Sequence, residues 1–374
     1  MLIGLVVLHE FGHFMAARRA GVEVEEFGIG FPPKAKTLGH KNGTEYTLNW
    51  LPLGGFVKLK GEHDAAKGKG TYGAARLIDK VKIMLAGVVV NFLIAIVLFS
   101  GIALFGLPKV FDNQFTVPSD TSVAKSELLA AQVSEDSPAS RAGLEQGDQI
   151  YSFEDIEECI TQPCDNVTNI TSEDDLRNAT QSLAGRGVLV NYFDESESVS
   201  KTESTTLLTK EEVEASRQTD EPKGYLGVVP YQYQELRATW SAPIVGTAFA
   251  TQVTQETFRV FGRVIGDLSK GDTSTAEQNV TGVVGIGDAL GKLAKQGLKS
   301  VLLLVALISL SLAIMNTLPI PALDGGRLFV TLLFKAFRWD LTKEREEKIH
   351  GSGFALLMLL FVLVTFVDVK RLFS

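Results

Sequence analysis

The sequence predicts a membrane protein, an α-helical transmembrane bundle of four spans carrying a membrane-associated β-hairpin or small sheet and an extracytoplasmic α+β domain. Three observations lead there. Apolar residues make up 45% of the 374 and raise the mean hydropathy to +0.14 although the middle of the chain is acidic, so they must be concentrated in blocks. Residues 2–17, 83–107, 301–320 and 354–369 are those blocks, each near the roughly 17 to 25 residues that span a bilayer. Charge also segregates by loop: residues 18–82 hold 12 Lys and Arg against 7 Asp and Glu, while residues 107–298 hold 15 against 30.

In chain order, residues 1–18 form the first span. It is short and begins at Met1, so either it tilts in a thinned bilayer or the native start lies upstream. A signal peptide would carry its charges ahead of the apolar stretch, and here Arg18 and Arg19 follow it. The basic loop 19–82 is cytosolic by the positive-inside rule. The second span is 83–107, the acidic region 108–298 lies outside, and 299–326 is the third span. Loop 327–350, with 6 basic and 4 acidic residues, returns to the cytosol, and 351–374 is the fourth span. The amino terminus, the acidic domain and the carboxyl terminus therefore face away from the cytosol. Most of the net charge of −8 belongs to the outer domain, which argues against a nucleic-acid partner.

Inside the first span stands "HEFGH". On a helix, His9 and His13 lie one turn apart on one face, where both imidazoles reach one Zn²⁺ with Glu10 beside it. Ionisable groups at membrane depth are costly unless they have a function. Catalytic zinc needs a third protein ligand and an open position, and "NTLPIPALDGGR", residues 316–327, offers Asp324. Pro319 and Pro321 stop a helix and Gly325 and Gly326 permit close backbone approach, so Asp324 is expected on an unwound segment, tolerated at depth only around a cavity. His13 lies five residues before Arg18 and Asp324 three before Arg327, which puts them at one level.

Residues 44–59, "TEYTLNWLPLGGFVKL", read as two alternating β-prone runs joined by a Pro/Gly bend in the first cytosolic loop. Its edge would hold an unwound substrate extended by β-augmentation, with Gly54, Gly55 and Phe56 at the contact. "GIGFPPK", residues 28–34, reads as turn chemistry near the site entrance. Residues 242–268 are amphipathic and suit an interfacial helix on the outer leaflet. Cys159 and Cys164, both outside the cytosol in this topology, are expected to form a local disulfide. His40, His63 and His350 fall in cytosolic loops, where solvation is the expectation.

These motifs, together with "PLGGFVKLKGE" (residues 52–62), "AGVVVNF" (86–92) and "TGVVGI" (281–286), resemble those of the site-2 proteases, zinc metalloproteases that cut within membranes, and in particular the bacterial regulator-of-sigma-E type. The resemblance runs over nearly the whole chain. It implies one Zn²⁺ on His9, His13 and Asp324, Glu10 as general acid/base, and Asn316 as a residue holding substrate near the metal, although an interhelical hydrogen bond would equally explain that Asn. It further implies an outer PDZ-like domain, residues 108–235, followed by a membrane-associated segment, 236–298. "SEDSPASRAGLEQGDQIYSFED" (134–155) resembles a bacterial PDZ signature, and Tyr225, Leu226 and Gly227 in "GYLGVVP" its carboxylate-binding loop. The chain departs from the family at Val88 and at Val283 or Val284, where proline is usual. The implied activity is cleavage, in the cell inner membrane, of single-pass membrane substrates such as anti-sigma factors or remnant signal peptides, after an upstream protease has removed their outer part. The competing reading is a membrane-anchored PDZ adaptor with a vestigial zinc site. A transporter is weaker, since no internal repeat is visible.

Overall fold

The computed structural model describes residues 2–157, 167–218, 222–270 and 297–373. They fall into two compact units, Met1–Ala103 with Trp240–Ser374, and Leu104–Thr239.

The first unit opens with α1 (Leu2–Arg19), whose 18 residues include Glu10, Arg18 and Arg19. Those charges separate it from the three helices that, among the described residues, are long and apolar enough to cross a membrane, Leu77–Ala103, Leu298–Thr317 and Lys343–Phe366. Next come β1 (Val24–Lys41) and β2 (Thr44–Leu59), antiparallel and folded back on each other. The first part of β1 lies between two stretches of β2: Phe27 faces Val57 on one side and Tyr46 on the other, while Thr37, further along β1, faces Thr47. Residues 28–34, expected as a turn, are thus part of a strand. Sheet pairing overrides local turn chemistry, and glycine is needed at residue 28 because a side chain there would enter the Phe56 ring. Phe14 of α1 packs edge-on against Phe27 at 5.6 Å, seating the helix on the sheet.

Helix α2 (Leu77–Ala103) starts six residues before the expected span. Its charged first turn is tied down: Arg76 Nε donates to Asp79 at 2.8 Å and Lys80 Nζ to Asp64 at 2.5 Å. It crosses α1 closely, since a Cβ on Gly12 would stand 2.7 Å from the Ala86 carbonyl oxygen.

The second unit is an antiparallel sheet flanked by short helices. Its strands are β3 (Leu107–Pro108), β4 (Ser122–Val133), β5 (Gln149–Asp155), β6 (Thr168–Asn169), β7 (Gly187–Asp194), β8 (Val199–Thr206) and β9 (Val228–Arg237), in the order β3-β9-β4-β5-β7-β8 with β6 on β5. Helices α3 (Pro138–Arg141), α4 (Glu173–Ser182) and α5 (Lys210–Ser216) each begin at a Ser or Thr whose hydroxyl accepts a backbone N–H. Alternate residues of β7, Val188, Val190 and Tyr192, bury against Leu128, Ile150 and Phe153. That period of two is what a one-sided sheet requires.

The chain returns to the first unit with α6 (Ala242–Leu268). Its first half packs on α2 through Phe249, edge-on to Phe99 at 4.9 Å, and through Gly246, where a Cβ would meet the Ser100 backbone. Its second half exposes Phe258 and Ile265. Then follow α7 (Leu298–Thr317), α8 (Asp324–Ala336) and α9 (Lys343–Phe373). The expected third span therefore ends at Thr317, where Pro319 and Pro321 withhold backbone donors. Asp324 corrects the expectation of an unwound position: the irregular stretch is 318–323, and Asp324 is the first residue of α8. Residues 327–350 likewise contain most of α8 and the start of α9. Arg327 joins them, donating to Glu62 Oε1 at 2.7 Å and lying 3.6 Å from Glu346.

Candidate metal centre

Helical spacing brings His9 and His13 onto one face of α1, and α8 delivers Asp324 to the same point. Asp324 Oδ2 lies 2.9 Å from His9 Nε2 and 3.1 Å from His13 Nε2, and the two Nε2 atoms are 3.1 Å apart. Two nitrogens and a carboxylate oxygen meet in this way, their donor atoms all within 4.8 Å of one another, and both histidines are buried.

The outer nitrogens are occupied, which fixes the rings. His13 Nδ1–H donates to the Ile83 carbonyl at 2.7 Å, leaving Nε2 free to bind. His9 Nδ1 faces the fully buried Asn91 amide at 3.3 Å, and the other amide atom of Asn91 has no partner. As placed, it is the amide nitrogen that faces the ring; a metal on His9 Nε2 requires the proton at Nδ1, which the amide would accept once turned so that its oxygen faces the ring. The Asn91 backbone is itself held, its main-chain carbonyl accepting from Ser309 Oγ of α7 at 2.8 Å. Gly87 completes the seat: a Cβ there would stand 2.6 Å from the Nε2 atoms of both rings. Three convergent donors with the outer nitrogens anchored fit a tetrahedral zinc with one open position.

The centre opens into a cleft of about 600 Å³ lined by Glu10, His13 and Asp324, by Phe56 and Val57 of β2, and by His350 of α9. Glu10 carries the one carboxylate of α1, one residue from His9 and three from His13, and the backbone of Val57 is hydrogen bonded to it. Of the other expected site residues, Gly55 backs onto Glu10 and the Gly28 carbonyl, and Gly54 abuts Val6. Asn316 does not line the cleft; its amide donates to the Leu312 carbonyl of its own helix at 3.0 Å. His350 is not solvated as expected, because the bend before Asp324 packs on it, and His63 also lines the cleft. Tyr225, Leu226 and Gly227 line a different cleft of about 470 Å³, in the second unit, between α4 and the start of β9. Cys159, Cys164 and residues 281–286 lie outside the described residues.

Sequence reasoning gave no role to Gly87, Asn91 or His350. Gly87 and Asn91 stand four apart in an apolar helix, the spacing that shares a face, and a buried Asn in a span was the available signal.

Residues 1–360 match the profile of Peptidase family M50. The chain belongs to peptidase family M50. Among similar proteins, a Clostridium perfringens relative that carries a zinc-metalloprotease name is 31% identical over 368 residues, covering 98% of this chain and 95% of the relative. The zinc metalloprotease RasP of Shouchella clausii is 26% identical over 453 residues, covering 99% of this chain and 97% of the relative. The chain is thus an M50 metalloprotease, and the HEFGH helix and the Asp324 helix hold its candidate metal centre.

Proposed function

We propose that this M50 zinc metalloprotease is an intramembrane endopeptidase that cuts single-pass transmembrane substrates, anti-sigma-factor-like proteins or remnant signal peptides, after another protease has shortened their outer part. One observation carries the reading: His13 and Asp324 of the three-residue metal cluster, Glu10 and the rim of β2 line one cleft in a unit whose helices are apolar enough to lie in a bilayer.

Zinc, held by His9, His13 and Asp324, supplies Lewis acidity toward the scissile carbonyl and toward water. Glu10 takes the proton of the attacking water and returns it to the leaving amine. Phe56 and Val57 put β2 at the wall of the cleft, and an unwound substrate segment lies extended along it. Gly54 and Gly55 let that stretch pass close to α1, and Asn316 serves substrate binding once substrate enters.

The second unit reads as a PDZ-like domain. Tyr225, Leu226 and Gly227 form the bend before β9, in which Gly227 has φ +78°, beside a groove able to hold a chain terminus or to exclude bulky substrates. We place the protein in the cell inner membrane with α1 as a fourth span, the amino terminus, PDZ-like domain and carboxyl terminus being extracytoplasmic, from the loop charges. The exposed second half of α6 suits the outer leaflet beside a substrate entry path.

The test is cleavage of a single-pass substrate lacking its outer domain in proteoliposomes, wild type against Glu10→Gln, with zinc counted in both. Cleavage by the wild type alone, with about one zinc in each, supports the protease. Intact substrate with both proteins would favour the PDZ adaptor instead.

A further inference from the structure

His350, half-buried near the start of α9, lines the active cleft without being a ligand or neighbouring Glu10 in sequence. Its Nδ1 accepts the Ala322 N–H at 3.2 Å, and its Nε2 is buried without a partner. A neutral ring accepting at Nδ1 carries its proton at Nε2, so the tautomer is set by Ala322.

Ala322 occupies an unusual place. Its φ is +82°, in the left-handed region that a residue with a Cβ enters only when its surroundings force it there. It stands two residues before Asp324, in the bend whose Pro319 and Pro321 have no N–H to donate. Inside that bend, Ile320 and Leu323 make short turn bonds to Leu318 and Ile320. The Ala322 N–H instead leaves the bend for another helix. The same face of α9 touches the bend a second time: a Cβ on Gly353 would run into the Pro321 side chain and carbonyl. Residues 350 and 353 are neighbours on a helix surface, so the two contacts form one clamp.

We propose that His350 is a positioning residue, holding Ala322 in its left-handed conformation and thereby setting the direction from which Asp324 enters the metal centre. The inference rests on the metalloprotease reading, with zinc as the probe.

Four full-length proteins test it: wild type, His350→Phe, His350→Asn, and His350→Phe combined with Ala322→Gly. Phe keeps the ring's volume without its acceptor. Asn presents an amide oxygen near the position of Nδ1. Gly adopts the left-handed conformation without help. The readouts are zinc retention against a competing chelator, and KM and kcat on a single-pass substrate. His350→Phe is expected to hold zinc about 10- to 100-fold less tightly, the range for lost support of a ligand. Its kcat should fall with zinc occupancy while KM stays put. His350→Asn and the Ala322→Gly combination should each recover most of the loss. Wild-type zinc retention by His350→Phe, or equal loss in the Phe and Asn variants, would overturn the proposal. A wild type that takes up no zinc would instead sink the metalloprotease reading, and the inference with it.

Discussion

Gly87→Ala sets two physical tendencies against each other. In the middle of α2, replacing glycine by alanine should favour the helix by roughly 0.5–1 kcal/mol. At this position the added Cβ would stand 2.6 Å from His9 Nε2 and Cε1 and from His13 Nε2, where ordinary contact begins at 3.4 Å, so the rings must retreat by about 0.8 Å. They have little room for it. The His13 ring is tied to the Ile83 carbonyl at 2.7 Å, and α1 is seated on α2 at Gly12. Metal–ligand distances tolerate only about 0.2 Å. Zinc affinity should therefore fall at least ~100-fold, about 2.7 kcal/mol, in a protein whose helix content is unchanged. Chelator competition followed by zinc counting measures the affinity, and circular dichroism the fold. A Gly87→Ala protein with full zinc and undiminished cleavage would show that the imidazoles do not rest against residue 87.

The remaining expectations concern other supports. Asn91→Leu, by removing the amide that faces His9 Nδ1 and whose oxygen would accept Nδ1–H with zinc bound, should weaken zinc binding roughly 10- to 100-fold, whereas Asn91→Asp keeps an acceptor and most of the affinity; equal losses in chelator competition would refute that role for the amide. Gly227→Ala would place a methyl into Ser137 at a left-handed φ and should destabilise the second unit by about 1–3 kcal/mol in denaturant unfolding, with an unchanged midpoint counting against the loop geometry. Asp194 is held below the usual carboxylate range by the Lys201 ammonium, then by Ser196 and the Glu197 N–H. A depressed folded value gives stability that is full above the unfolded value of about 4 and is lost as pH falls toward the folded one. The stability gap between wild type and Asp194→Asn should accordingly close below about pH 4, and a gap that is the same at pH 7 and pH 3 would refute it.

Much of the site was legible because its chemistry is written in types and spacings that water-soluble packing does not need. HEFGH within an apolar run announces itself, and the distance of His13 and Asp324 from arginines pointed to one depth. The amphipathic stretch 242–268 coincides with α6 for a similar reason, since a one-sided apolar period of 3.6 has few other uses. What was not legible depends on partners distant in sequence. Residues 28–34 look like a turn until β2 folds against both sides of β1. The first turn of α2 looks polar until Asp64 and Arg76 are seen to pair with it. His350 looks solvated until Ala322, 28 residues away, is found donating to it. A local pattern reports the face a residue presents and not the group that meets it.

The metal centre joins α1 and α8, which also share an apolar cluster that includes Phe14, Ala17 and Leu328. In a bilayer, lipid is as apolar as the helices, so association depends on close packing and polar contacts rather than on burial from water. The packing is visible where Gly12, Gly87 and Gly353 each lie against a carbonyl, a ring or a proline from elsewhere in the chain. Between α1 and α8, however, the closest polar contacts are those of Asp324 with the two histidines. Zinc held by His9, His13 and Asp324 would then be a cross-link between residues 9 and 13 and residue 324 as well as the catalyst. Ligation that exists only in the folded state adds about 2.7 kcal/mol when free metal stands at 100 times its dissociation constant. Removing zinc with a chelator should therefore lower the thermal unfolding midpoint of the wild type, and it should leave Asp324→Ala, which lacks one side of the cross-link, nearly unmoved. If chelator shifts neither protein, α1 and α8 are held by packing alone and the metal contributes only chemistry.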